Sequence, residues 1–246
     1  MKKFEIKGHD GPGRYGKLGD DETPVIINKD KYQIIDDEAV SYDIEKELAI
    51  WSVNQTIKKA EEVDEKSDKI ATIQGSKYID LRIKCVNELE KLGYDKFIIA
   101  NADDLILHPR DLIELTVNLR QNMKPGSILI FPFAEAQLIP LLAYLGIDGY
   151  FDDIGEYYAY LNVLMTPTKN YDLEIYKIYE MTTEELIKYN KNTIDLVLRE
   201  VREHMKNGGL RNLVEERSAT SPQYASALRI LDKDYKDYVL EYSQLY

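Results

Sequence analysis

The sequence predicts an α/β protein with a helical C-terminal part, and two observations support this. Over the first two thirds of the chain, short apolar runs alternate with segments in which apolar residues recur at helical spacing. The repeat length is about thirty residues, which is typical of βα units that build a parallel sheet. From about Thr182 onward the pattern is almost entirely helical, with an apolar stripe among charged residues. Thr182 is the predicted cap of this helix, with acids in the first turn, and Gly208-Gly209 is its predicted end.

The amino-terminal segment predicts two short strands separated by a glycine-rich loop. Phe4–Lys7 alternates apolar and charged residues, and Pro24–Asn28 is an apolar run. Between them, Gly8–Gly16 contains four glycines and one proline. We therefore predict a loop whose backbone approaches another group closely, although it lacks the Lys-Ser/Thr ending of a phosphate-binding loop.

The middle of the chain predicts three strands that alternate with helices. Helical spacing of apolar residues covers roughly 43–66, 81–92 and 112–119. The apolar runs that separate or follow these segments predict strands at Ile70–Ile73, Phe97–Ala100 and Ser127–Phe131.

One further strand is predicted where an apolar segment leads into two adjacent carboxylates. The helical pattern of Leu138–Leu145 stops at Gly146, and the short strand that follows ends at Asp152 and Asp153. In alternating α/β folds, ligands and catalytic groups lie at the carboxyl ends of the strands. The pair is a candidate for a nucleophile, an acid–base pair or a helix cap.

Composition and charge exclude several classes of function for this protein. The chain has 246 residues, 44% of them hydrophobic, and a formal net charge of -12. A chain this acidic lacks the basic footprint of a free-standing nucleic-acid binder. Cys85 is the only cysteine, which excludes a disulfide framework and a cysteine-based zinc site. It lies on a predicted helix with Ile83 and Leu89, so we expect a buried core thiol rather than a reactive one. No apolar run approaches the length of a membrane span, so we expect a cytoplasmic protein with no membrane contact. We expect no cofactor.

Four parts of the chain, in sequence order, resemble the motifs of a known family. The first comprises Phe4–Lys7, Arg14–Leu18 and Thr23–Val25, and the second is Ile73–Arg82, which contains a Gln-Gly-Ser run. The third is Gly146–Asp152, and the fourth is a C-terminal run that includes Thr183–Leu186 and Leu213–Arg217. They resemble the archaeal tRNA-guanine transglycosylases of the archaeosine pathway. The resemblance is strongest to the degenerate transglycosylase-like region of archaeosine synthase.

The resemblance implies a TIM-type (β/α) barrel, incomplete or distorted because its second-strand region is shortened. It implies one transglycosylase-like domain over 1–246, with a βα-barrel part at 1–180 and C-terminal helices at 181–246. It further implies Asp152 as the catalytic nucleophile, and Gln74, Gly75 and Asn101 as residues that bind the base.

The chain also departs from the family's motifs. The family's acid–base aspartate lies in a loop before the Gln-Gly-Gly strand, and the region from Lys29 to Lys69 contains no such sequence. Asn101-Ala102 replaces a Gly-Gly pair, and Pro132–Glu135 replaces a Gly-His-Pro run. Leu173–Lys177 stands where zinc-binding cysteines are expected, so no metal site is predicted.

Each candidate residue also has a purely structural interpretation. A carboxylate at the position of Asp152 can attack an anomeric carbon, but it can equally cap a turn or meet a neighbouring arginine. The Gln74 amide offers a donor and an acceptor that would read a base edge, or it makes a structural hydrogen bond at the strand end.

Three functions remain open from the sequence. The preferred one is archaeosine-type tRNA modification by a degenerate transglycosylase-like protein, acting on deazaguanine-containing tRNA or serving as a non-catalytic subunit. The first alternative is an active transferase of the tRNA-guanine transglycosylase type that uses Asp152. The second is a catalytically dead scaffold. In every case, we expect tRNA to be held with a partner protein or within a homo- or hetero-oligomer.

Overall fold

The computed structural model describes residues 4–242 and confirms the predicted α/β class. Its largest sheet has six strands in the order β4-β9-β8-β7-β6-β5, and every neighbouring pair in it is parallel. These strands are β4 (Val25–Ile26), β5 (Gln33–Ile34), β6 (Lys69–Ile73), β7 (Lys96–Ile99), β8 (Ile128–Phe131) and β9 (Gly149–Tyr150). The sheet curls into a half-barrel, which is compatible with an incomplete TIM-type barrel.

Two smaller antiparallel sheets flank the half-barrel. The first contains β1 (Phe4–Asp10), β2 (Gly13–Leu18) and β3 (Asp21–Thr23), and the second contains β10 (Val163–Met165) and β11 (Asn170–Asp172).

Helices fill the connections and form the C-terminal part. They are α1 (Lys46–Glu61), α2 (Ile79–Lys91), α3 (Ala102–Leu107), α4 (Pro109–Asn122), α5 (Ile139–Tyr144), α6 (Asp153–Tyr160), α7 (Leu173–Tyr176), α8 (Thr183–Lys206), α9 (Leu210–Ser218), α10 (Pro222–Asp234) and α11 (Lys236–Leu240). Helices α8, α9 and α10 pack on α5 and α4, and their apolar faces join the same hydrophobic core as the outer face of the sheet. Within residues 4–242, no helix is both long and apolar enough to cross a bilayer.

The predicted glycine-rich loop at Gly8–Gly16 is wrong, because this segment forms most of a β-hairpin. Strands β1 and β2 pair antiparallel, with Glu5 opposite Lys17, and turn at Gly11 with φ +57°. A Cβ on Gly16 would lie 2.0 Å from the Glu5 carbonyl oxygen, and one on Gly8 would lie 2.5 Å from the Tyr15 hydroxyl. Gly8 and Gly16 therefore permit close approach within the hairpin. A Cβ on Gly13 would lie 2.8 Å from Leu210 Cδ2, so the predicted close approach to another group is confirmed there.

Alternation along the strands separates the inside of the half-barrel from its outside. Ile70, Ile98 and Ile130 belong to an inner apolar cluster with Phe151. Residues at the intervening positions, such as Ala71, face the surrounding helices as part of the main core. Because the period is two, the positions that follow Ile70 on the inner face are 72 and 74.

A buried ionic cluster closes the amino-terminal side of the sheet. The Asp148 carboxylate is fully buried and accepts hydrogen bonds from Arg14 Nε at 2.6 Å and from Arg120 Nη2 at 2.7 Å. It also accepts the backbone N–H of Leu129 at 2.8 Å. One carboxylate thus ties β2, α4 and β8 to the start of β9. The sequence analysis did not single out this residue.

Candidate functional site

A cavity of about 320 Å³ opens at the carboxyl ends of β6, β7 and β8. Its lining brings together two of the residues predicted to bind the base, Gln74 and Asn101. The other lining residues are Asp37, Ala39, Val40, Thr72, Ile98, Ile99, Ala100, Ala102, Asp103, Pro132 and Phe133. The walls are therefore mostly apolar, with a few polar side chains, as in small-molecule sites generally.

Gln74 is the most buried polar side chain of this cavity. It directly follows β6, lies on the inner face with Thr72, and is only 2% exposed. Its Nε2 donates a hydrogen bond to Asp37 Oδ2 at 2.5 Å. Its carbonyl oxygen Oε1 is buried and has no hydrogen-bond partner. A buried acceptor without a donor carries a free-energy penalty of about 1–3 kcal/mol, which a donor on a ligand would remove.

Asp37 is a functional candidate that the sequence analysis missed. It follows β5, whose pairing with β6 is extended by the hydrogen bond from Ile35 N to the Ile70 carbonyl at 3.0 Å. The segment between Lys29 and Lys69 therefore brings a half-buried carboxylate to the cavity, although the family's loop sequence is absent. The signal was present, because Ile34-Ile35 followed by two acids resembles the apolar run that ends at Asp152.

Asn101 shapes the cavity wall through bonds to the protein. Its backbone is left-handed, with φ +56°. Its Nδ2 donates to the Val40 carbonyl at 2.9 Å, and its Oδ1 accepts from Arg82 Nη2 at 3.3 Å. Both polar ends of the side chain are engaged in this way.

Gly75 lies behind the cavity and is not among its lining residues. Its φ is +143°, and a Cβ at this position would lie 2.7 Å from Arg82 Cγ and 2.8 Å from Arg82 N. Glycine is needed here because the start of α2 passes directly over the backbone. Ser76, which follows, is also left-handed at φ +52°, and its hydroxyl donates to the Ser41 carbonyl at 3.0 Å.

Asp152 lies outside the cavity that contains Gln74 and Asn101. It lines a groove of about 420 Å³ at the ends of β4 and β9, together with Asn28, Lys29 and Lys31. Its carboxylate is 3.6 Å from Lys191 Nζ and makes no capping hydrogen bond to α6. The structure therefore does not bring Asp152 into one cavity with Gln74 and Asn101. The neighbouring Asp153 is ion-paired with Lys29.

Two further observations concern groups that bind metals or react. Within residues 4–242, His, Cys, Asp and Glu side chains form no group of three or more that would hold a metal ion. Cys85 is fully buried on α2, which confirms the prediction of a core thiol. Burial raises the pKa of this thiol to about 12, so it remains protonated at neutral pH.

The sequence is similar to archaeal proteins named as archaeosine synthases and tRNA-guanine(15) transglycosylases. No family model matches the chain. Archaeosine synthase from Methanocaldococcus jannaschii is 31% identical over 154 residues, which cover 63% of this chain and 26% of that protein. The tRNA-guanine(15) transglycosylase of the same organism is 26% identical over 232 residues, covering 80% of this chain and 35% of the relative. The corresponding transglycosylase of Thermococcus kodakarensis is 26% identical over 223 residues, covering 80% and 38%. In these alignments, the chain spans between about a quarter and two fifths of each relative.

Proposed function

Because the chain is a member of the archaeal tRNA-guanine transglycosylase-like family, we propose that it takes part in tRNA modification and binds a guanine-type base in the cavity beside Gln74. The more specific assignment is an archaeosine synthase-like component that acts on deazaguanine-containing tRNA, or a non-catalytic subunit of such an enzyme.

The pairing of Gln74 with Asp37 is the observation that carries this proposal. One edge of guanine and of 7-deazaguanines presents two adjacent donors, the N1–H and the 2-amino group. Asp37 and Gln74 both line the cavity and are joined by a hydrogen bond, and the Asp37 carboxylate and the unpartnered Gln74 Oε1 are the two acceptors that we assign to these donors. A ligand with two neighbouring donors would satisfy both acceptors, whereas adenine lacks this arrangement.

The position of Asp152 favours the degenerate form over a working transglycosylase. A nucleophile for base exchange must reach the anomeric carbon of the nucleoside whose base is bound, and a displacement of even about 1 Å is costly. Here the carboxylate lies in a separate groove beside Lys191. Base binding is thus retained in the proposal, and glycosyl transfer through Asp152 is not.

A partner protein is part of the proposal. One relative, from Methanosarcina acetivorans, is named "Archaeosine synthase subunit alpha" and is 26% identical over 162 residues. The name indicates that this relative works as one of several subunits. We extend the same organisation to the present chain, whose acidic surface is poorly suited to hold tRNA alone.

The proposal is tested by calorimetric titration of the protein with free guanine, 7-cyano-7-deazaguanine and adenine. We expect the first two bases to bind and adenine not to bind. Gln74→Leu should weaken binding at least tenfold, because it leaves the ligand's donor without its acceptor and removes the hydrogen bond to Asp37.

The matched control is Gln121→Leu, the same chemical change on the exposed face of α4. It should bind the bases as the wild type does. Failure of the folded wild type to bind either guanine-type base, or equal binding of adenine, would refute the assigned cavity.

A further inference from the structure

Arg82 lies directly behind the cavity and is fully buried. It extends from the first turns of α2 and donates three hydrogen bonds in different directions. Nε bonds the Ser76 carbonyl at 2.6 Å, Nη1 bonds the Ile73 carbonyl at 3.1 Å, and Nη2 bonds Asn101 Oδ1 at 3.3 Å. A single guanidinium therefore connects the end of β6, the turn after Gln74 and the turn after β7.

This guanidinium carries a charge that no nearby acid neutralises. Among residues 4–242, no carboxylate oxygen lies within 4.0 Å of an Arg82 nitrogen. Burial lowers the pKa of Arg82 to about 10, which still leaves it charged at neutral pH. Arg14 and Arg120 are also buried, but each is paired with Asp148. A buried and unpaired cation is costly, so its contacts with neutral oxygens must supply the compensation.

The two turns that Arg82 connects are both strained. Ser76 and Asn101 have φ values of +52° and +56°, a region that residues with a side chain adopt at a cost in free energy. Such conformations persist where surrounding bonds over-determine them. Arg82 bonds the backbone oxygen of one of these residues and the side-chain oxygen of the other.

We propose that Arg82 is a positioning residue of the base cavity, whose planar fork holds the turns after Gln74 and before Ala102 in their left-handed conformations. The inference rests on the proposed function for its consequence on base binding. Arg82 does not line the cavity, so it acts through Gln74 and Asn101. A lysine would keep the charge but could not reach three divergent acceptors from one nitrogen.

The principal test compares wild type with Arg82→Lys in two measurements. The first is the affinity for free guanine, which we expect to fall about tenfold in the variant. The second is the set of backbone chemical shifts of residues 76 and 101, which report φ without any ligand. We expect left-handed values in the wild type and a change toward ordinary values in the variant.

Two further variants make the test independent of folding losses. Ser76→Gly in the Arg82→Lys background should recover part of the lost affinity, because glycine adopts the left-handed turn without help. A purely stabilising arginine would not produce this rescue. Asn101→Ala removes one acceptor of Arg82 and should also weaken guanine binding, although the amide it removes bonds only protein groups. Arg110→Lys, on an exposed part of α4, serves as the matched control and should bind normally.

The outcomes separate the two proposals. If wild type binds no guanine but the chemical shifts change in Arg82→Lys, the assigned function is wrong and the positioning role stands. If wild type binds guanine and a folded Arg82→Lys binds equally well with unchanged shifts, the positioning role is wrong. Should Arg82→Lys fail to fold, wild-type affinity in Asn101→Ala overturns the positioning role, and weakened binding supports it.

Discussion

The acidic side chains of this protein differ sharply in what surrounds them. Asp148 is fully buried and holds two arginines, whereas Asp153 is 55% exposed and pairs with Lys29. Removing one member of a buried ion pair strands its partners, while exposed pairs contribute little. From the sequence, Asp153 was a candidate functional residue and Asp148 was not, although both lie beside the strand β9.

We expect Asp148→Asn to lower the free energy of unfolding by about 3–5 kcal/mol, because two buried guanidinium groups lose their charged partner. Asp153→Asn is the control and should change it by less than about 1 kcal/mol. Urea denaturation followed by circular dichroism measures both. Similar midpoints for the two variants would contradict the structural role of the buried cluster.

Two polar residues of the candidate cavity differ in how far the sequence predicted them. The Gln74 prediction came from the motif Gln-Gly-Ser after an apolar strand, and the structure places this residue in the cavity. Asp37 was not predicted, because the family's loop sequence is absent around it and an acid after a short strand is not by itself a sign of function. Its partner lies 37 residues away, and no local pattern encodes such a pairing.

At the scale of elements, helix α8 begins as the sequence predicts. Thr182 was assigned as its cap with acids in the first turn, and the structure contains a complete capping box. The Glu185 backbone N–H donates to Thr182 Oγ1 at 3.3 Å, and the Glu185 carboxylate accepts the Thr182 N–H at 2.9 Å. The predicted stop at Gly208-Gly209 is also confirmed, because α8 ends at Lys206.

We expect Thr182→Ala to lower the free energy of unfolding by about 1 kcal/mol, since the first turn of α8 loses its cap. Ser221→Ala is the matched control, because Ser221 precedes α10 without a side-chain capping bond. The capping bonds lower the pKa of Glu185 below its ordinary 4.5, so their contribution is present above that pH and is lost as the pH falls through the folded-state pKa. Denaturant unfolding at pH 7 and at low pH measures the difference, and a Ser221→Ala effect equal to that of Thr182→Ala would contradict it.

At the scale of the whole molecule, charge is the dominant property. The formal net charge of -12 opposes non-specific attraction to a phosphate backbone. The lysines beside Asp152 do not provide a free basic surface, because Lys29 and Lys31 are paired with Asp153 and Asp21. Under the proposed function, the binding of a whole tRNA would therefore need contacts that a partner supplies.

We expect the isolated protein to retain no tRNA in a gel-shift experiment at about 0.15 M salt, where surface electrostatics are screened beyond about 8 Å. A transcript that carries 7-cyano-7-deazaguanine and one that carries guanine should behave alike in this respect. Nanomolar retention of either transcript by the protein alone would show that the partner is not required.

The sequence by itself determined the α/β class, the helical C-terminal part, the start and stop of α8 and the resemblance to the transglycosylase-like proteins, because each depends on local periodicity, capping residues or ordered motifs. Tertiary structure decided which strand ends share a cavity. In the folded chain, Asp37 is hydrogen-bonded to Gln74, Asp152 lines a different groove, and the segment predicted as a glycine-rich loop forms most of a hairpin. The physical reason is that these outcomes depend on strand order and on the curl of the sheet, which arise only when residues distant in the chain pair and pack.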